Sequence, residues 1–245
     1  MPFPSLASDN LLSRGSAGHV FAVSSDIVIK CPTIFDDPVP AQAEEMEESI
    51  KSMENEKAIY RILMEYRHPN LVHGILIVPE GIFMQRLQTT LQSRIDQSAT
   101  SPISPDCQLR WIQQLINAVV WFEQLGYVHG DIRPANILLD TMGNIKLGDF
   151  DATVKKGEEL LAASEPFCKL NKGYETPPAG PVSEQFALGS CIYTIQYGKI
   201  PLHEFDPPTR VLKLMRNEFP VTSDDHLSAI SSRDAGMAFT VPSMT

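Results

Sequence analysis

The sequence predicts an α+β protein in which a β-rich part with one long helix precedes a mostly helical part. Residues 11–30 combine β-branched and apolar side chains with glycines and a short polar turn, which is typical of a strand-turn-strand unit. Residues 41–66 contain few helix breakers and many strong helix formers. Residues 107–126 carry apolar side chains at helical spacing and end in a glycine, so a second long helix is expected there.

Composition limits the classes of function that the chain can have. Its 245 residues are 43% hydrophobic, which is enough for a sizeable core in one large domain or two lobes. Twenty basic and thirty acidic residues give a net charge of −10, which disfavours a general nucleic-acid or membrane surface. The four cysteines form no CxxC pair, and the sequence has no run of about 20 apolar residues to cross a bilayer. We therefore expect an intracellular, cytoplasmic protein with neither a nucleic-acid nor a membrane partner.

Two glycines and a lysine stand out in the first part. Gly15 and Gly18 lack a Cβ, so the backbone there can approach a phosphate closely. The same glycines are equally typical of a hairpin that needs them for turn geometry alone, and the sequence does not decide between these interpretations. Lys30 closes the strand that follows, IVIK.

The chemistry of the chain is concentrated in residues 127–151, which read YVHGDIRPANILLDTMGNIKLGDFD. Asp131 and Asn136 lie in a segment that Gly130 and a proline make too irregular for a helix, and Asp149 ends the β-rich run that follows. Hard cations such as Mg²⁺ prefer oxygen ligands, and Mg²⁺ is usually held by one or two protein oxygens together with phosphates. The stretch therefore predicts a divalent-metal site that serves nucleotide chemistry.

HGDIRPANILL followed by GDFD resembles the catalytic loop and the metal-binding loop of protein kinases. The resemblance extends over residues 11–219 and includes HPN and the SEQFALG segment. It implies a two-lobed protein kinase-like fold, with a β-rich N-lobe at about 11–84, a mostly helical C-lobe at about 88–219 and ATP between them. Residues 1–10 would be an N-terminal extension, and residues 220–245 an irregular tail.

The resemblance also implies roles for individual side chains. Asp131 would orient the attacking hydroxyl and accept its proton, and Arg133 would neutralise charge on the transferred group. Asn136 and Asp149 would hold Mg²⁺. Lys30 would pair with the nucleotide phosphates.

The helix glutamate that pairs with Lys30 has two candidates. Within NEKAIY the resemblance favours Glu56, and Glu54 is the competitor. Two residues along a helix correspond to a rotation of about 200°, so both glutamates cannot face the lysine. Glu56 is preferred because Ile59 and Tyr60 follow it on the face that is expected to pack inward.

An adenine pocket is implied as well. Met84 would border its back, and Gln85, Arg86 and Leu87 would form the hinge whose backbone bonds to the base. Apolar side chains would sandwich the base, and glycines would lie over the phosphates. These positions are Leu12, Val20, Val28 and Leu138 for the base, and Gly15 and Gly18 for the phosphates.

Four positions depart from the family pattern. Ser13 replaces the first glycine of the phosphate loop, and Gly130 replaces the arginine that in many kinases pairs with a phosphorylated activation segment. Asp151 replaces the last glycine of D-F-G. Pro178 stands where the family has a glutamate, so the ion pair that usually ties the activation segment to a late helix is not expected.

The resulting prediction is a kinase that uses ATP and Mg²⁺ to phosphorylate Ser or Thr hydroxyls of proteins. Two alternatives stay open at this point. The departures are also typical of a pseudokinase that binds nucleotide or acts as a scaffold. In addition, HGD followed by DFD is similar to aminoglycoside and choline kinases, which phosphorylate small molecules.

Overall fold

The computed structural model describes residues 8–15 and 18–222. The predicted N-terminal extension and tail therefore lie largely outside the described residues. Within the described part, no helix is long and apolar enough to cross a membrane.

An antiparallel sheet of five strands forms the first lobe, in the order β1-β2-β3-β5-β4. β-branched and aromatic residues fill the central strands, where they pack on the pleated surface. The two strands predicted on either side of Pro79, Glu80 and Gly81 are present. The strands are β1 (Leu11–Gly15), β2 (Gly18–Ala22), β3 (Ile27–Cys31), β4 (Gly74–Val78) and β5 (Gly81–Gln85).

The predicted long helix is α1, Pro40–Glu65, which packs against β4 and β5. Pro40 suits the first turn because its missing N–H would have no partner there. The spacing of its side chains predicts an inward stripe of Ile50, Met53, Lys57 and Tyr60, but Ile50 is 41% exposed and Ser49 is buried instead. The buried positions follow helical spacing and are Ser49, Met53, Glu56, Lys57, Ile59, Tyr60 and Leu63.

Four α-helices lie in the described part of the second lobe, so the α+β, two-lobed architecture expected from the sequence is confirmed. They are α2 (Leu91–Asp96), α3 (Pro105–Gln124), α4 (Pro181–Tyr197) and α5 (Pro207–Met215). Side-chain oxygens of Ser104 and Asp206 cap α3 and α5 by accepting backbone N–H groups that have no partner within the helix. Gly198 ends α4 in a left-handed conformation, with φ of 69°.

Short strand pairs position the stretch at residues 127–151. A three-stranded sheet consists of β6 (Thr89–Thr90), β8 (Ile137–Leu139) and β9 (Ile145–Leu147), in that order. A further pair joins β7 (Tyr127–Val128) to β10 (Val154–Lys155). The loop between β7 and β8 and the loop between β9 and β10 therefore start and end at fixed strands next to the cleft between the lobes.

Candidate active site

Lys30 makes the central contacts of the cleft. It is the fourth residue of β3, and its Nζ lies 2.7 Å from Glu56 Oε2 on α1. The same ammonium contacts Asp149 Oδ1, in the loop after β9. The competitor Glu54 instead pairs with Lys57 Nζ at 2.7 Å. The ion pair predicted between Lys30 and Glu56 is therefore present, and it links the sheet, the helix and the loop after β9.

Burial and neighbouring charges shift the pKa values of this cluster in opposite directions. Burial by itself would lower the pKa of Lys30, but the carboxylates of Glu56 and Asp149 outweigh burial and raise that pKa above its ordinary value. Burial would raise the pKa of Asp149, and the ammonium of Lys30 instead holds it below its usual range. Burial raises the pKa of Glu56 despite the ammonium beside it. Lys30 is thus a stable cation that faces carboxylates from both lobes.

Asp131 is oriented by two neighbours in its own loop. Its Oδ2 accepts hydrogen bonds from Arg133 Nε at 2.9 Å and from Asn136 Nδ2 at 2.8 Å. The backbone N–H of Gly148 donates to the carbonyl of Asn136 at 3.0 Å, which joins this loop to the one that carries Asp149. The residues predicted to be the base, the compensating cation and the metal ligands therefore meet at one place.

Asn136 and Asp149 have the donor chemistry that Mg²⁺ requires. The amide nitrogen of Asn136 is engaged by Asp131, so the amide oxygen is the atom left to face a cation. Among the residues that the structure describes, no group of three or more His, Cys, Asp or Glu side chains forms a metal cage. An ion held by one amide and one carboxylate would need further oxygens from phosphate and water, which is the usual mode of binding for Mg²⁺.

His129 and Glu184 fix the backbone of the catalytic loop. His129 Nε2 lies 3.0 Å from the carbonyl of Gly148, and Nδ1 accepts the N–H of Asp131 at 3.3 Å. The ring is buried with both nitrogens occupied, so it acts as a packing residue and not as a base. Glu184 on α4 accepts the N–H groups of His129 at 3.2 Å and Gly130 at 3.3 Å, and burial raises the pKa of this carboxyl.

The apolar residues predicted to sandwich a base are mostly brought together. Val28 and Met84 are buried, and partly buried Val20, Leu87 and Leu138 pack against the same core cluster. Leu12 stands apart, because it is 48% exposed and lies at an irregularity in the pairing of β1 with β2.

Two backbone N–H groups of the predicted hinge have partners within the protein. The N–H of Gln85 donates to the carbonyl of His73 at 3.0 Å, and the N–H of Arg86 donates to the carbonyl of Asp26 at 2.8 Å. Both N–H groups are therefore used within the first lobe. Recognition of a base by the remaining backbone groups of Gln85, Arg86 and Leu87 stays a prediction.

Gly18 has a structural requirement of its own. Its φ is +143°, and a Cβ there would lie 2.2 Å from the carbonyl oxygen of Cys31 on the neighbouring strand. Close strand packing therefore explains Gly18 without a phosphate. Gly15 pairs with Gly18 at the end of the hairpin, and a Cβ there would make only ordinary contact, at 3.5 Å from the Gly18 carbonyl oxygen.

The backbone conformation at Gly130 requires a glycine. Its φ is +83°, and a Cβ would lie 2.5 Å from the carbonyl oxygen of Ala152. An arginine at this position would meet both a strained conformation and a backbone clash. The close approach of Ala152 therefore leaves room for no side chain at Gly130.

Phe150 anchors that segment in the core. Its ring packs edge-on against Tyr60 at 5.4 Å, with Phe122 at 5.6 Å and His129 at 5.3 Å between ring centroids. Asp149, which precedes it, has φ of 64°, a conformation that aspartate tolerates better than most residues. This turn directs Asp149 to Lys30 while Phe150 enters the core.

The activation segment, residues 152–178, is tied to a late helix by an ion pair that does not involve position 178. Arg210 on α5 contacts Glu165 through two nitrogens, one of which, Nη2, lies 3.0 Å from Oε2. Ser190 Oγ on α4 also donates to the carbonyl of Pro166 at 3.0 Å. The glutamate that anchors the segment therefore lies thirteen residues before Pro178, where no motif indicated it.

A cavity of about 660 Å³ opens between two arms of the activation segment, residues 157–163 and 170–178. It lies beside the catalytic loop, because a Cβ on Gly130 would be 3.6 Å from Leu160 Cδ2 in its lining. The charged residues among its lining side chains are all acidic, and the others are mainly apolar. The charged ones are Glu158, Glu159 and Glu175.

Asn55 is a further residue of the site that no sequence motif indicated. From α1, its Nδ2 donates to the carbonyls of Asp151 at 2.7 Å and Thr153 at 2.9 Å. An asparagine in a helix carries no signal of a contact with a residue about a hundred positions away, so only the fold reveals it.

The two-lobed fold, with its lysine, glutamate and aspartate joined across the cleft, is that of the protein kinase class. A family profile described as "Protein kinase domain" matches residues 12–232, and the chain belongs to this family.

Curated relatives include several protein kinases from plants and yeast. CBL-interacting protein kinase 24 of Oryza sativa subsp. japonica is 29% identical over 64% of this chain and 37% of its own length. Mitogen-activated protein kinase kinase kinase 1 of Arabidopsis thaliana is 26% identical over 87% of this chain and 36% of its own length. Serine/threonine-protein kinase GIN4 of Saccharomyces cerevisiae is 30% identical over 52% of this chain and 12% of its own length. The chain thus matches well under half the length of each of these relatives.

Proposed function

We propose that the chain transfers the terminal phosphoryl group of ATP to Ser or Thr hydroxyls of proteins, with Mg²⁺ as the cofactor. The observation that carries the proposal is the contact of Lys30 with Glu56 and Asp149 at once, next to the oriented carboxylate of Asp131. Similarity to relatives that are named serine/threonine-protein kinases supports the choice of acceptor.

Each residue has a defined task in this proposal. Asp131, oriented by Arg133 and Asn136, would align the acceptor hydroxyl and take its proton late in the transfer. Arg133, which is 38% exposed, has a guanidinium that would neutralise charge on the transferred group. Lys30 would bind the phosphates of the nucleotide, and Asn136 and Asp149 would hold Mg²⁺, which neutralises phosphate charge when bound.

Transfer of labelled phosphate tests the proposal directly. We expect the wild type to phosphorylate a generic protein substrate in a Mg²⁺-dependent reaction. Lys30→Met, Asp149→Ala and Asp131→Asn should each reduce the rate by about 100-fold or more. Asp206→Asn is the matched control, because this residue is the N-cap of α5 and asparagine caps a helix as well as aspartate does.

The cavity beside the catalytic loop supports a choice of test peptides. Its acidic and apolar lining favours a polypeptide with Lys or Arg and an apolar residue near the acceptor hydroxyl. We expect such a peptide to be phosphorylated faster than one in which Asp or Glu replaces the basic residues. Equal rates for the two peptides would contradict the proposed preference for basic residues but not the proposed transfer activity.

A second candidate is a nucleotide-binding or scaffolding module that does not transfer phosphate. Asp151 favours it, because this extra carboxylate lies close enough to act on the charge of Lys30 and competes with nucleotide phosphates for it. Nucleotide binding without transfer to protein or to itself would support this candidate. Transfer to a small alcohol but not to protein would instead support a small-molecule phosphotransferase.

A further inference from the structure

Asn55 lies on α1 immediately before Glu56, so its side chain leaves the helix about 100° around the axis from that of Glu56. Its Nδ2 donates to the carbonyl of Asp151 at 2.7 Å and to the carbonyl of Thr153 at 2.9 Å. Both hydrogens of the side-chain amide are thereby used on the segment that follows Asp149.

Glu56 holds the same segment one residue earlier. Its Oε1 accepts the backbone N–H of Phe150 at 3.3 Å, while its Oε2 pairs with Lys30. Two consecutive helix residues therefore bind the segment at three points. A single contact leaves a helix free to rotate about it, whereas three spaced contacts fix both the position and the rotation of α1.

The contact network continues from Thr153 to the catalytic loop. Thr153 is buried, and its Oγ1 donates to the carbonyl of His129 at 3.4 Å. His129 Nδ1 in turn accepts the N–H of Asp131. A continuous series of hydrogen bonds therefore runs from Asn55 on α1, in the first lobe, to the loop of Asp131 in the second.

We propose that Asn55 is a positioning residue that keeps α1 against the segment after Asp149, so that Lys30, Glu56 and Asp149 remain assembled. The effect on transfer rests on the proposed function, whereas the effect on the position of α1 does not. In the part of the chain that the structure describes, its side chain contacts backbone carbonyls and none of the reacting groups, so it acts on the fraction of molecules in which the cluster is complete.

The variants Asn55→Asp and Asn55→Leu remove both donated bonds with little change in size, one with an added charge and one without. Gln108→Glu is the matched control. Gln108 is a half-buried amide on α3 that also donates to two backbone carbonyls, those of Ile195 at 2.9 Å and Gln196 at 3.4 Å, away from the cleft.

Hydrogen–deuterium exchange of the nucleotide-free protein is the first measurement. We expect both Asn55 variants to speed exchange in α1 and in residues 150–153 by about 10-fold, because two bonds of ordinary strength are lost. Gln108→Glu should speed exchange only near the end of α4. Wild-type exchange in α1 and residues 150–153 of the Asn55 variants would overturn the proposal.

The second measurement is the rate of phosphate transfer at a temperature where every variant is folded. We expect kcat to fall by about 10-fold in the Asn55 variants, with the KM for the protein substrate changed by less than about 2-fold. Gln108→Glu should keep the wild-type kcat. An equal loss of kcat in Gln108→Glu would reduce Asn55 to a general stabilising contact and overturn the proposal. If the wild type transfers no phosphate, the proposed function fails while the exchange measurement still decides the position of α1.

Discussion

The cleft and the activation segment differ in how their contacts are encoded. In the cleft, Lys30, Glu56 and Asp149 occupy the positions that linear motifs predict, and they meet through direct contacts. In the segment after Asp149, the family's residues are replaced, and the contacts come from unrelated positions such as Asn55 and Arg210. The difference teaches that groups predicted to take part in the reaction must hold fixed positions relative to the reacting atoms. An anchoring contact, by contrast, can be supplied by any nearby element.

The largest expected effect outside the cleft comes from breaking the anchor of the segment. Arg210→Leu leaves Glu165 without its partner in a site where its side chain is only 24% exposed. We expect a loss of about 1–3 kcal/mol in the free energy of unfolding, measured by urea denaturation. Arg216→Leu, at an exposed position just after α5, should change it by less than about 0.5 kcal/mol. Equal stability of the two variants would show that the anchor contributes nothing.

An intermediate effect is expected where the segment approaches the catalytic loop. Gly130 and Gly126 have similar φ angles, +83° and +86°, but only at Gly130 would a Cβ meet a backbone atom within 4 Å. Gly126→Ala should therefore cost about 1 kcal/mol for the left-handed conformation alone. Gly130→Ala should cost about 1 kcal/mol more and should also slow transfer, because Ala152 must move away from the loop.

Thermal unfolding and transfer assays of these two variants check that expectation. Equal losses of stability with unchanged transfer in both would mean that the contact with Ala152 is unimportant.

The smallest expected effect concerns two carboxylates that are two residues apart, Asp149 and Asp151. Burial and the charge of Asp149 raise the pKa of Asp151, whereas Lys30 overcomes burial and lowers the pKa of Asp149. The folded protein therefore holds a proton on Asp151 more tightly than the unfolded chain does. The contribution of Asp151 to the free energy of unfolding is therefore lost as pH rises from about 4 through its folded pKa. Asp149 has the opposite effect, because it adds stability as it ionises in the acidic range.

At pH 7 in EDTA, Asp151→Asn should raise the Tm by about 1–3 °C, because it removes an unfavourable charge. Asp149→Asn should lower it. Near pH 3 the benefit of Asp151→Asn should disappear, since the carboxyl is protonated in both states. Calorimetric scans at the two pH values measure these differences, and a Tm gain at pH 3 as large as that at pH 7 would contradict the charge explanation.

The order of elements in the fold could be predicted from local patterns. The span of α1 was correct to within one residue at each end, because a long run of helix formers between prolines leaves few alternatives. Its buried face was predicted in part. Met53, Lys57 and Tyr60 are buried as expected, whereas Ile50 is exposed and Ser49 is buried, where its Oγ accepts the N–H of Thr33. Polar groups can be buried when a distant chain segment satisfies them, and periodicity does not report such partners.

By itself, the sequence predicted which residues would carry the chemistry, because the motifs place Lys30, Asp131, Asn136 and Asp149 in that order along the chain. The tertiary structure decided what holds them together. Glu165 could be matched to Arg210, and Asn55 to Asp151, only after folding had brought together elements that are 45 and 96 residues apart. The physical reason is that a hydrogen bond or ion pair requires only proximity and orientation, and many sequence positions can provide both.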